Sequence, residues 1–262
     1  MIYKRIIYAL LYCAGEFHLS RNFRLQKVGN VEWLKNNFGF GETCNFIDEL
    51  IIINVTPNPT QSDFKKYFED IKKLKEKIFV PITLGGGIRK LEHAKKFFAN
   101  GADKILVNYL AHQESKTCKQ IASIYGEQSI SVMVDYKKEA NGKLNTFINS
   151  GKFISKSLKN FISTVKKIKF GELILNSIDK DGTGAGLDLD CLKLIPEKFN
   201  KPVLLMGGAG KPEHFIKSLS QKKVSGIITA NLFNFLGRGL EEARNYSIDK
   251  NIKLVQFKKI DL

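Results

Sequence analysis

A chain of 262 residues, 43% hydrophobic, can bury a sizeable core and has the length of one α/β barrel. It has no apolar run of about 18 residues, which excludes an ordinary membrane-spanning helix. Four cysteines (Cys13, Cys44, Cys118, Cys191) stand far apart without a CxxC pair, which argues against zinc or a disulfide framework and fits a reducing, cytoplasmic setting. Lysine and arginine outnumber aspartate and glutamate 42 to 26, for a net charge of +16.

The chain opens on an apolar run at residues 5–11. Lys4 and Arg5 are embedded near its start and no small-residue cleavage pattern follows, so it reads as a strand rather than a leader. Further strands are expected at 49–55, 79–84, 104–108, 129–135, 172–176, 202–206 and 226–230. Several are continuous apolar runs, the mark of strands buried on both faces. Helical patterns such as 63–76, 91–100 and 155–167 lie between them. Alternating strands and helices imply a parallel sheet, and eight such units in this length favour a closed (β/α)8 TIM barrel over an open sheet. Residues 136–152, with Asn141-Gly142, read as a hairpin after the fifth strand. No Pro- or Gly-rich linker divides the chain, so residues 1–262 are read as one domain.

The sequence repeats itself. Gly86-Gly87-Ile88-Arg89-Lys90-Leu91-Glu92-His93 matches Gly207-Gly208-Ala209-Gly210-Lys211-Pro212-Glu213-His214 at a spacing of 121 residues. Glu49-Leu50-Ile51 matches Glu172-Leu173-Ile174 at 123, and Val107-Asn108 resembles Ala230-Asn231 at the same spacing. The opening strand aligns with residues 129–135 at 124, which sets Leu11 against Asp135. Matches in order, at a nearly constant spacing close to half the chain, describe a barrel of two (βα)4 halves.

Both glycine clusters follow a strand and precede a helix. Backbone N–H groups in such a turn can approach a phosphate closely, helped by the helix N-terminus. Gly86, Gly87, Gly207 and Gly208 are therefore phosphate-binding candidates, with Asn108 and Asn231 at the ends of the fourth and eighth strands. Asp181-Gly182, in the loop after the sixth strand, adds a tight turn and an N–H. Two such sites across the rim suit a small ligand carrying a phosphate at each end. A calcium loop at 177–183 is rejected because the later glutamate is missing. No cofactor or metal is expected.

These residues resemble a family. Leu84-Gly85-Gly86-Gly87-Ile88-Arg89, Asp48-Glu49-Leu50, Gly101-Ala102-Asp103-Lys104, Ser177–Thr183 and the segment 207–215 are similar to HisF, the cyclase subunit of imidazole glycerol phosphate synthase. The resemblance runs from Met1 to about residue 250. It implies a two-fold barrel that takes ammonia from a glutaminase partner, HisH, and uses it on a two-phosphate substrate. Arg5, Glu49, Lys104 and Glu172, at the starts of strands one, two, four and six, match the family's ammonia gate. Asp103, at the same end, is expected to contact the glutaminase.

The resemblance also implies a catalytic pair of aspartates at the ends of strands one and five. Asp135 is present, but the first-strand position is Leu11, which cannot transfer a proton. Leu19 stands where the family carries a lysine. A retained conduit with a broken cyclase pair resembles the branch of HisF-like proteins associated with surface-polysaccharide genes. There the pair is thought to feed ammonia to a sugar amidotransferase. Two alternatives stay open: an active cyclase of histidine biosynthesis, and a nucleic-acid-binding barrel, for which the +16 charge speaks but no signature motif does.

Overall fold

The apolar runs form strands buried on both faces. In the computed structural model, which describes residues 3–37, 44–76, 78–230 and 238–257, they assemble in chain order as follows. β1 (Arg5–Cys13) is followed by an antiparallel hairpin, β2 (Glu16–Arg21) and β3 (Arg24–Gly29), and by α1 (Val31–Asn37). β4 (Glu49–Asn54), α2 (Gln61–Lys75), β5 (Ile82–Gly85), α3 (Leu91–Ala99) and β6 (Lys104–Val107) come next. α4 (Tyr109–Gln113) and α5 (Ser115–Tyr125) end the first half. The second half opens with β7 (Ile130–Lys138) and its own antiparallel pair, β8 (Leu144–Ile148) and β9 (Phe153–Ser157). Then follow α6 (Leu158–Val165), β10 (Glu172–Ser177), β11 (Val203–Met206), α7 (Pro212–Leu219), β12 (Val224–Thr229) and α8 (Gly239–Asp249).

Eight strands pair in parallel in the order β1-β4-β5-β6-β7-β10-β11-β12, and β12 pairs back to β1, so the sheet closes. This is the expected (β/α)8 barrel. Side-chain alternation then separates two cores. Ile6, Tyr8, Leu50, Leu84 and Leu205 point outward into the layer shared with the helices. Ile7, Ala9, Ile51, Leu106, Met133, Ile174, Leu204, Met206 and Ile228 fill the inside.

The register bears out the two-fold repeat. Ile7 faces Glu49 as Ser131 faces Glu172, and Leu50 faces Ile82 as Leu173 faces Val203. Ile227 lies beside Ile6 as Ile105 lies beside Ile130. By this register the counterpart of Leu11 is Asp135 and that of Ile53 is Asn176, but Asn108 corresponds to Ala230, one residue short of the Asn231 that the sequence repeat set against it.

Three expectations need correction. The third barrel strand begins at Ile82 rather than 79, because Pro81 offers no N–H and Phe79 stands 91% exposed. The helix expected over 155–167 begins at Leu158, because residues 153–157 are taken into β9. The first half also carries a hairpin, β2–β3, that the sequence reading passed over. The expected hairpin of the second half is present, with its turn closed by Gly142 N donating to Glu139 O. All four cysteines are free thiols, and no helix among the described residues is long and apolar enough to cross a membrane.

Candidate functional site

The N-terminal end of the barrel is floored by charge. Arg5 donates to Glu49 Oε2 (3.2 Å) and Glu172 Oε2 (2.7 Å), and Lys104 Nζ lies 2.6 and 2.8 Å from the same two carboxylates. The Thr83 hydroxyl donates to the remaining oxygen of Glu49, and the Ser131 hydroxyl donates to the Glu172 oxygen that also takes Lys104. The four residues singled out in the sequence thus form one closed ring drawn from both halves. Burial alone would raise the Glu172 carboxyl, but Arg5 and Lys104 overcome it and hold it down at about 2. The formal charges of the ring, two of each sign, sum to zero. Asp103, at this end, is exposed, and its carboxylate accepts from Ile82 N (2.8 Å).

Above the ring the bore is apolar, lined by the inner cluster from Ile7 to Ile228. At the C-terminal rim the lining divides. On three consecutive strand ends, Asn108, Asp135 and Asn176 form a polar arc. Asn108 Nδ2 donates to Asp135 Oδ2 (2.8 Å) and to Phe147 O (3.2 Å), and Asn176 Nδ2 donates to Asp135 Oδ1 (2.8 Å). On the opposite three, the counterparts are Ala230, Leu11 and Ile53, all aliphatic. Burial pushes the Asp135 carboxyl up to about 6; the two amide donors pull it down, and the neighbouring Asp181 carboxylate pushes it further up. Such a group holds or releases a proton near neutral pH, which suits acid–base work.

The glycine turns are built alike in both halves. Gly86 and Gly207 sit at φ 96° and 95°, and a Cβ on either would strike backbone: Asn54 O at 1.9 Å in one, Ser177 O at 2.6 Å in the other. Arg89 N donates to His93 Nδ1 (3.3 Å), and Gly210 N to His214 Nδ1 (3.2 Å), so a histidine on the following helix ties back each loop. Neither α3 nor α7 has a side-chain N-cap, which leaves their first-turn N–H groups to the loop. Gly182, Gly207 and Gly208 line one small cleft with Leu19, Thr229 and Ala230. Of the other expected contributors, Asn108 places one amide hydrogen on Asp135 Oδ2 and one on Phe147 O. Asp181 N donates to Ser177 O and Ile178 O, so Asp181 supplies the turn and not the donor. Asn231 lies outside the described residues.

The hairpin covers this second cradle. Asn22 and Phe23 form a two-residue turn at φ 51° and 64°. Ser20 Oγ and Phe23 N donate to Asp181 Oδ2 (2.5 and 3.0 Å), Asn22 N donates to Asp181 O, and Gly182 leaves room for Ser20 O alone.

Sequence reading missed Asn176, whose partner across the strand pair is visible only once the register is known. It also missed Asn54, whose buried Nδ2 lacks a partner close to the Gly86 turn. The histidines His93 and His214 had a signal, being part of the repeat, but no role attached to them.

The chain is thus a two-fold (β/α)8 barrel with an ionic floor, an apolar bore and paired glycine cradles at the C-terminal rim. Residues 45–237 match the family described as histidine biosynthesis protein. The chain is 41% identical over 242 residues to a provisionally named imidazole glycerol phosphate synthase subunit hisF2 of Parasynechococcus marenigrum (strain WH8102), covering 92% of this chain and 89% of that one. It is 32% identical over 238 residues to the imidazole glycerol phosphate synthase subunit HisF of Chlorobium luteolum (88% and 94% covered), and 32% over 238 to that of Streptococcus sanguinis (90% and 92%). The chain belongs to the HisF family of imidazole glycerol phosphate synthase subunits.

Proposed function

We propose that this chain is the ammonia-receiving barrel of a glutaminase-coupled pair in which cyclisation is lost or altered. A HisH-like glutaminase docks at the ionic floor, near Asp103. Ammonia enters through the ring of Arg5, Glu49, Lys104 and Glu172, crosses the apolar bore and leaves for a separate sugar amidotransferase that makes an acetamidino sugar for surface polysaccharide. A neutral, closed ring narrows the way for ions while a small uncharged molecule can follow a transient opening, and the dry bore keeps it unprotonated. The observation that carries the reading is Leu11 opposite Asp135, within an aliphatic arc, above an intact ring. The glycine cradles Gly86-Gly87 and Gly182 with Gly207-Gly208 would hold a phosphorylated ligand.

One observation favours a second reading, a working cyclase that converts the family's bis-phosphate substrate in histidine biosynthesis. Asp135 is buried, amide-held and poised near pH 6, as a surviving acid or base would be. Complementation of a histidine auxotroph lacking its cyclase subunit separates the two. The first reading expects no growth together with stimulation of a HisH-like glutaminase by the purified chain. Growth on minimal medium overturns it, and Leu11→Asp should then speed the slow cyclase.

A further inference from the structure

A second concavity lies at the N-terminal end of the barrel, away from the glycine cradles. It is formed by residues 162–170, which lead into β10, by residues 196–201, which lead into β11, and by Glu127, which leads into β7. Its volume is about 600 Å³, within the roughly 300–1,000 Å³ of small-molecule sites. The floor is apolar: Ile162, Ile168 and Phe170 are buried, and Phe199 is half-buried beside them. The rim is basic, with Lys166, Lys169, Lys198 and Lys201 set against one carboxylate, Glu127. Lys169 and Lys201 each lie 2.8 Å from a different oxygen of Glu127, so that carboxylate is fully taken. The nearby Glu197 is taken by Lys223 (2.7 Å). Among the described residues Lys166 and Lys198 have no carboxylate partner. The fold does not require these cations: in the repeat, Lys166, Lys169 and Lys201 are matched by Thr43, Phe46 and Val80. Lysines gathered round an apolar cleft repel one another, and a bound anion relieves that repulsion.

We infer that this cleft is a binding site for a small phosphorylated ligand with a flat apolar body, of the class of a nucleoside diphosphate. Charge sets one half of that class. Two unpaired lysines, with two more shared with Glu127, match an anion of two or more charges, and lysine binds phosphate as a point charge. The floor sets the other half. Phe170 lies with its ring 5.9 Å from Lys201 Nζ, which puts an aromatic side chain next to a cation. A flat ring rests on this floor while its phosphates reach Lys166 and Lys198. An acidic peptide brings charge without a flat apolar body and leaves the floor wet. Phe170 is two residues from Glu172 of the ionic ring, so the ligand sits beside the barrel floor, at the opposite end from the glycine cradles. The site requires neither ammonia transfer nor cyclisation.

The test is made on the isolated, ¹⁵N-labelled chain, titrated with ADP and followed by amide NMR shifts. The amides of residues 162–170 and 196–201 shift and saturate, with an affinity that falls as salt is added. Adenosine and inorganic phosphate, each carrying half of the chemistry, bind there at least about tenfold more weakly. Lys166→Glu combined with Lys198→Glu weakens ADP binding in the cleft by about tenfold or more, and leaves any shifts at Gly86, Gly87, Gly207 and Gly208 unchanged. If the double charge reversal loses its near-UV circular dichroism, Lys166→Gln with Lys198→Gln carries the test. Shifts confined to the glycine cradles, cleft shifts that persist in the folded variants, or inorganic phosphate binding as tightly as ADP overturn the site. Tighter binding of hexaglutamate than of ADP overturns it too, and makes the cleft a docking groove for an acidic chain.

Discussion

Asp135 shows what the residue scale contributes. Its carboxyl stands at about 6 in the folded chain against an ordinary value of 3.8, chiefly because it is buried. A group raised on folding supports the folded state below its unfolded value and withdraws that support as pH rises through its folded value. At about 1.4 kcal/mol per pH unit, the gap corresponds to roughly 3 kcal/mol at most, exerted against the fold above pH 6. Asp135→Asn should therefore be more stable than the native chain at pH 8, by about 1–3 kcal/mol in urea unfolding, with the gain vanishing near pH 4. An equal difference at both pH values would show that packing, not ionisation, decides it. The aspartate itself was legible in the sequence, as the mate of Leu11 in the repeat. Its partners were not. Asn108 and Asn176 sit at strand ends where periodicity tells which face a residue lies on but not which residue on the next strand it meets.

At the scale of elements, the two hairpins are the instructive case. Each half-barrel follows its first strand with an antiparallel pair, and each pair reaches toward the other half. The β2–β3 turn binds the loop after β10 through Asp181, while Asn149 in the β8–β9 turn accepts from Arg89 beside the first glycine cradle (2.7 Å). The second half announced its antiparallel extension through Asn141-Gly142, the turn that joins β7 to β8. The first did not, because its turn is Asn22-Phe23 and its strands carry Arg21, Arg24 and Lys27 exposed, with little apolar alternation in β3 to read. Phe23 keeps its left-handed conformation because Asp181 holds its N–H and its ring lies against Gly151. The seat of the hairpin is Gly182, where a Cβ would come within 2.0 Å of Ser20 O. Gly182→Ala should lift the hairpin without unfolding the barrel. Trypsin would then cut at Arg21 and Arg24, which flank the turn, on the order of tenfold faster, the effect of about 1.4 kcal/mol of lost docking. Cleavage at the native rate would mean that the hairpin's contacts with Asp181 suffice without the close seat on Gly182.

At the scale of the whole molecule, the two-fold barrel explains why so much of the design could be read from one sequence. Repeated segments at nearly constant spacing give the division into halves and pair Glu49 with Glu172, whereas Arg5 and Lys104 have no mates in the repeat and nothing in it tells what happens between halves. The ring is where the halves are joined: Glu49 comes from β4, Glu172 from β10, and both cations, Arg5 and Lys104, bridge the two. Both carboxylates are nearly inaccessible, at 3% and 6% of their side-chain surface, so removing one cation leaves a buried negative charge half-compensated. Lys104→Met should accordingly lose about 3–5 kcal/mol of stability at neutral pH. The pH dependence gives a sharper check. Glu172 is depressed on folding, so its contribution is present above its ordinary value of 4.5 and is lost as pH falls through about 2. Without Lys104 the Glu172 carboxyl rises and protonates sooner, and the acid-unfolding midpoint followed by circular dichroism should move upward in pH. Because protonation relieves the unpaired charge, the variant's deficit relative to the native chain should also narrow as pH falls below 4.5. A deficit that stays constant across this range would mean that Lys104 supports the floor by filling space, and that the ring's charges are not what ties one half of the barrel to the other.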